Sequence, residues 1–156
     1  GLSVCVLPGA RTSRPQPRMT FSVPASNRVV DIIPIPGHDP ASIAIYDRRT
    51  RILLTGDTLY PGRLYVRDAR AFTESIDRLV DFTRTRDIAH VLGAHIENTR
   101  TPYQDYCTGA AYQPDEHVLE LGRAHLLELQ DALRRDDPSF LAELRGGDPA
   151  MPRSAA

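Results

Sequence analysis

Two histidines and an aspartate occupy matching places in this 156-residue chain. His38 lies in IPIPGHDPAS, where an apolar run passes through Pro34, Pro36 and Gly37 before a second apolar run begins at Ile43. Asp57 follows Ile52-Leu53-Leu54-Thr55-Gly56, and His95 follows Val91-Leu92-Gly93-Ala94. Each side chain is expected where the chain leaves a strand, with a glycine beside or near it to let the backbone turn tightly. Strand ends at one edge of a sheet converge in space. Two imidazoles and a carboxylate there suit a borderline-soft divalent ion such as zinc, and iron or manganese accept the same donors. Taken singly, each residue has a plainer explanation. A histidine after Pro-Gly serves as a turn residue, and the aspartate of TGDT caps a turn. His90, His117 and His125 fall on a strand start or on helix surfaces and carry no such expectation.

The elements that must position these residues can be read from the hydrophobic pattern. Strands are expected over Arg28–Ile35, Ser42–Asp47 and Arg51–Thr55, the last two joined as a hairpin by the polar turn Asp47-Arg48-Arg49-Thr50. A further strand is expected at Arg63–Val66. Asp68 is a fair N-cap for a helix whose Phe72, Ile76, Leu79, Val80 and Phe82 recur at spacings of three and four. The run Ile88–Leu92 reads as a strand, and an irregular stretch follows from Gly93 to Gln113. Pro114-Asp115-Glu116 is expected to open a second helix with an apolar side from Val118 to Leu133, and Asp137-Pro138 a short one to Leu144. Strands followed by helix, strand and helix imply an α/β layer: one mixed sheet with helices on one face, its other face needing cover.

Composition narrows the function classes. The length fits one domain with a real core. An apolar fraction of 41% and a charged fraction of 25% are ordinary for a globular protein. A net charge of −1 gives no argument for nucleic acid or an anionic membrane. All nineteen basic residues are arginine. Two cysteines, Cys5 and Cys107, cannot build a disulfide framework, so a reducing, cytoplasmic setting is expected. No apolar run approaches the roughly 18 residues of a membrane span. The opening GLSVCVLPGA lacks the basic start of a signal peptide. Residues 1–27, with the Pro/Arg/Ser-rich ARTSRPQPR, read as a disordered or truncated lead-in, residues 28–145 as the domain, and 146–156 as a flexible tail.

Three segments, in order, carry a resemblance: PGHDPASIAIYD (Pro36–Asp47), LLTGDTLYPGR (Leu53–Arg63) and VLGAHIE (Val91–Glu97). Together they resemble the second half of a metallo-β-lactamase-fold hydrolase, the superfamily that includes glyoxalase II-type thioesterases. The resemblance implies the C-terminal half of an αββα sandwich and a site for two zinc ions. On it His38 binds the first zinc, Asp57 bridges both and His95 binds the second. A metal-activated water would attack an ester, thioester or related carbonyl in a small-molecule substrate. Arg63 and Tyr65 resemble the basic residue and tyrosine that hold an anionic substrate in glyoxalase II-type enzymes, and Tyr60 would line the same mouth. A solvated arginine and a strand-face tyrosine explain Arg63 and Tyr65 equally well.

The departures matter. Asp39-Pro40-Ala41 replaces the family's usual Thr-x-Gly, and Ala94 stands where glycine is common; both are minor. The family's H-x-H-x-D-H segment should precede these motifs, and no histidine lies before His38. A catalytic zinc normally has three protein ligands around one ion. This chain offers three in all, divided between two metals. The expectation is a truncated hydrolase that binds metal weakly and is inactive alone, with a missing N-terminal half or a second copy completing it. The alternative is a non-catalytic half-fold interaction module that pairs with another chain. In either case the uncovered sheet face should be apolar, and the chain should self-associate.

Overall fold

The computed structural model describes residues 3–6, 19–23, 28–102 and 104–135. Its elements in chain order are β1 (Ser3–Val6), β2 (Met19–Val23), β3 (Arg28–Pro34), β4 (Ile43–Asp47), β5 (Ile52–Gly56), β6 (Arg63–Val66), α1 (Ala69–Thr83), β7 (His90–Gly93) and α2 (Arg123–Arg134). Five strands form one sheet in the order β2-β3-β4-β5-β7, and β1 pairs with β6 apart from it. The joins from β2 to β5 are antiparallel, whereas β5–β7 and β1–β6 are parallel. The sheet is therefore mixed, as expected. β1 and β2 fall inside the 1–27 lead-in whose composition reads as irregular. The Met-Thr-Phe-Ser-Val of β2 is strand-forming once β3 offers it a partner, with Thr20 opposite Asp31.

Alternation along the strands defines two faces. Asp31, Ile33, Ala44, Tyr46, Leu53 and Val91 are buried and share one face by register. The Tyr46 ring meets Phe82 of α1 edge-on at 5.4 Å, which places α1 on that face. α1 also buries Phe72, Ile76 and Leu79, and α2 packs beside it with Leu126 and Leu129 buried. Asp77 of α1 accepts hydrogen bonds from Gln130 (2.6 Å) and Arg134 (2.8 Å) of α2, which fixes the pair. Each of the large apolar side chains buried here contributes about 1.5–3 kcal/mol. The opposite face is also apolar. Ile32, Ile45, Leu54 and Leu92 form one row across β3, β4, β5 and β7, and Ile43 and Leu54 are 46% and 43% exposed.

One buried charge sits in the helix-facing layer and is fully engaged. Asp31 accepts two hydrogen bonds from the Arg48 guanidinium, both at 2.8 Å, and a third from Thr20 at 2.7 Å. This ties β2, β3 and the turn after β4 together, satisfying a carboxylate that would otherwise be costly to bury.

The second helix differs from expectation. It begins at Arg123, not at Pro114. Residues 115–121 spend their backbone groups across the chain. His117 N donates to Asn98 O at 2.9 Å, Arg100 N to Asp115 O at 2.9 Å, and Leu121 exchanges both bonds with Val91. Tertiary pairing overrides the local helix-start signal. Val118, read as part of the apolar helix side, is exposed. The short helix expected after Asp137 and the tail from 146 lie outside the described residues.

Candidate metal centre

His38, Asp57 and His95 meet at the ends of β3, β5 and β7. Each turn is held by specific bonds. The His38 turn is braced by α1: the carbonyl of Gly37 accepts from Arg67 N (2.8 Å) and Asp68 N (3.0 Å), and Ser75 donates to Pro36 O at 2.7 Å. Gly37 has φ +144°, and a Cβ there would lie 2.5 Å from the Phe72 Cα. Only glycine fits that approach. The Asp57 turn is closed by Thr58 N on Thr55 O (3.1 Å), while the Thr55 hydroxyl donates to Leu59 O (2.8 Å). Ala94 N donates to Gly56 O at 3.0 Å, bringing the β7 exit beside the β5 exit. Gly93 packs so closely on Tyr60 that a Cβ would lie 2.3 Å from the tyrosine's own Cβ.

Asp57 stands between the two imidazoles. His38 Nε2 lies 3.4 Å from Asp57 Oδ2, and His95 Nε2 lies 3.0 Å from Oδ1. The other nitrogen of His38, Nδ1, is 2.8 Å from the Tyr65 carbonyl oxygen. A carbonyl only accepts, so Nδ1 carries the hydrogen. In neutral imidazole Nε2 is then a bare lone pair aimed at a carboxylate oxygen. Two electron-rich atoms face each other, and either a proton or a cation must lie between them. Asp57 Oδ1 adds to the demand, being a buried atom with no hydrogen bond of good geometry among the described residues; Thr58 Oγ1 is likewise buried and unpartnered among them. A buried carboxylate oxygen with only the His95 contact, and no well-aligned hydrogen bond, is expensive.

The donor chemistry therefore suits a divalent ion, with His38 oriented through its outer nitrogen as metal-ligating histidines generally are. No group of three or more His, Cys, Asp or Glu among the described residues is arranged to hold an ion as it stands. The imidazoles instead contact the carboxylate directly. His38 is mostly enclosed, whereas the His95 side chain is 57% exposed.

The three residues linked by resemblance to substrate, Tyr60, Arg63 and Tyr65, are also near. Tyr60 is 1% exposed, and its hydroxyl donates to Arg63 O. Its ring meets the His95 ring edge-on at 5.3 Å. Burial, with lesser contributions from Glu97, Tyr65 and Asp57, pushes the Tyr60 phenol far above its usual pKa. Arg63 is mostly buried and bonds to Glu97 Oε2 through its Nε at 3.0 Å. Burial alone would weaken its charge, but Glu97 and Tyr65 outweigh that and raise its pKa. Tyr65 lends its backbone carbonyl to His38. Glu97 and Tyr106 received no role from the sequence; the visible signal for Glu97 was a charged residue two places after His95. The remaining histidines stay outside the cluster: His117 Nδ1 bonds Val118 O, and His125 accepts from Gly122 N.

Solved structures with the same fold include a metallo-beta-lactamase from Staphylococcus aureus subsp. aureus COL, at 17% identity and TM-score 0.53, over 86% of this chain and 38% of that one. A double mutant of the sec-alkyl sulfatase PisA1 aligns at 14% identity and TM-score 0.51, over 83% of this chain and 19% of that one. A metallo-beta-lactamase from Pontibacter korlensis aligns at 14% identity and TM-score 0.49, over 76% and 46%. The chain thus spans less than half the length of each of these. No curated protein matches it. No helix among the described residues is long and apolar enough to cross a membrane. The family profile described as the metallo-beta-lactamase superfamily matches residues 10–124, most of the chain including all three strand-end residues, and the chain belongs to that superfamily.

Proposed function

We propose that this protein is a cytoplasmic, metal-dependent hydrolase of small ester, thioester or related carbonyl substrates, glyoxalase II-like in type. His38, Asp57 and His95 supply part of its ligand set. The observation that carries the reading is His38 Nε2 set 3.4 Å from Asp57 Oδ2, with Nδ1 committed to the Tyr65 carbonyl. Zinc suits these donors best, and iron or manganese are acceptable to them. When bound, the ion supplies Lewis acidity and makes a water acidic enough to attack a carbonyl near neutral pH.

The chain's own residues do the rest. Tyr65 O fixes the His38 tautomer and ring direction. Asp57 offers one oxygen to each imidazole, so it is the residue placed to bridge two ions. His95, the exposed ligand, marks the side from which substrate approaches. Three ligands divided between two ions leave positions to be filled by water, substrate and further protein donors, from a preceding segment or a second chain. The apolar, partly exposed row through Ile45 and Leu54 gives the interaction-module reading its own support.

Assay of an ester and thioester panel with the full chain plus zinc tests the proposal. Hydrolysis that a chelator abolishes and that Asp57→Ala lowers by roughly 10²-fold or more supports it, the outer range for loss of a key metal-site group. Hydrolysis indifferent to zinc and to substitution of all three residues contradicts it. Zinc binding that the three substitutions weaken, with no hydrolysis, supports the metal centre and leaves catalysis to the further donors.

A further inference from the structure

Residues 56–63 and 94–98 are stitched together at two points, and His95 lies between the stitches. The near one is Ala94 N on Gly56 O at 3.0 Å. The far one is denser. Glu97 N and Asn98 N both donate to Pro61 O, at 2.7 and 3.1 Å. Glu97 Oε2 accepts from both the backbone N and the Nε of Arg63, each at 3.0 Å. Arg63 Nη2 reaches on to Tyr106 O at 3.1 Å, and Tyr106 N returns to Glu97 O at 2.8 Å. One carboxylate thus closes a ring of contacts joining the Asp57 segment, the His95 segment and the loop beyond.

Tyr60 transmits this clamp to the imidazole. Its hydroxyl is bonded to Arg63 O, and its ring edge meets His95. A Cβ at Gly62 would meet both the Tyr60 ring (2.5 Å) and Glu97 (2.9 Å), so the three residues are in close register. His95 itself is more than half exposed, and its ring meets Asp57 and Tyr60. Its rotamer therefore depends on the surface that Tyr60 presents. The side chains of Arg63 and Glu97 are 24% and 21% exposed, enclosed enough for the pair to be ordered rather than solvated.

We infer that Glu97 is a positioning residue for His95: through Arg63 and Tyr60 it holds the imidazole against Asp57. On this inference Arg63 serves the site by answering Glu97, and its charge is committed there rather than to a substrate anion. The inference rests on the metal reading for one of its two readouts only.

The test uses the full chain, with Glu97→Gln, Glu97→Ala and, as a control, Glu74→Ala in the exposed Arg70–Glu74 pair. The first readout needs no metal: the nuclear Overhauser contact between the His95 and Tyr60 rings, with the amide spectrum reporting folding. The contact should weaken in Glu97→Gln, vanish in Glu97→Ala and persist in Glu74→Ala. If Glu97→Ala does not fold, Glu97→Gln decides. The second readout is zinc affinity, expected to fall roughly tenfold or more in Glu97→Gln, the usual cost of losing a residue that orients a ligand. In a His95→Ala background the same change should cost nothing further, which a merely structural role would not produce. A ring contact that persists at wild-type strength in a folded Glu97 variant overturns the inference, as does an equal loss of affinity in both backgrounds. If the wild-type chain binds no zinc, the metal reading fails while the ring contact still decides this one.

Discussion

Tyr60 shows how closely the strand-end residues depend on what lies beneath them. Its ring lies against Gly62 and His95, its Cα and Cβ lie against Gly93, and its hydroxyl is bonded inside the fold. Burial raises its pKa above the free value of 10.0, so the folded state prefers the neutral phenol. Stability from that preference is complete below pH 10 and is lost as pH rises from there towards the folded value. The slope is about 1.4 kcal/mol per pH unit for one group. Tyr60→Phe should cost about 1 kcal/mol at neutral pH through the lost hydrogen bond, yet lose less stability than wild type between pH 9 and pH 11. Urea unfolding at the two pH values checks this; parallel losses in both proteins would contradict it. His38, Asp57 and His95 were legible because each follows an apolar run and a glycine. Glu97 was not, because its partner Arg63 is 34 residues away and nothing local pairs them.

At the scale of elements, the His38 turn is a product of α1 as much as of β3. Gly37 O is bonded by the two residues leading into the helix, and the Gly37 backbone lies against Phe72. Gly37→Ala would force a Cβ into backbone atoms that cannot swing aside, in a conformation L residues rarely adopt. It should destabilise the chain by about 1–3 kcal/mol or more and weaken zinc binding with it. Gly122→Ala, where nothing lies within 4 Å, should cost only a few tenths of a kcal/mol. Denaturant midpoints of the two variants settle the comparison, and equal costs would contradict the account of the turn. The strands β3 to β7 and α1 were readable within a residue or two because their periods are clear and Asp68 caps α1, accepting from Ala71 N at 3.0 Å. The start of α2 was not, since Pro114-Asp115-Glu116 is a real local signal that long-range pairing with Asn98 and Arg100 defeats. β2 was hidden because a single strand has no signature until its neighbour is known.

For the whole molecule, the sheet sorts its two faces differently. One is covered by α1 and α2, and the other presents Ile32, Ile45, Leu54 and Leu92 in register. The mixed sheet with helices on one face was legible from the element order and from the three motifs together, and superfamily membership agrees with it. Ligand convergence was an inference from strand direction, and the distances of 3.0 and 3.4 Å to Asp57 give it a geometry. The central claim is that these three side chains are metal ligands, with Asp57 between the two histidines. Zinc titration by calorimetry, on the full chain beside His38→Ala, Asp57→Ala and His95→Ala, tests it most directly. The account predicts saturable binding to wild type that every one of the three substitutions weakens, each by about tenfold or more. Binding untouched by the substitutions, or none to a chain shown to be folded, would contradict it.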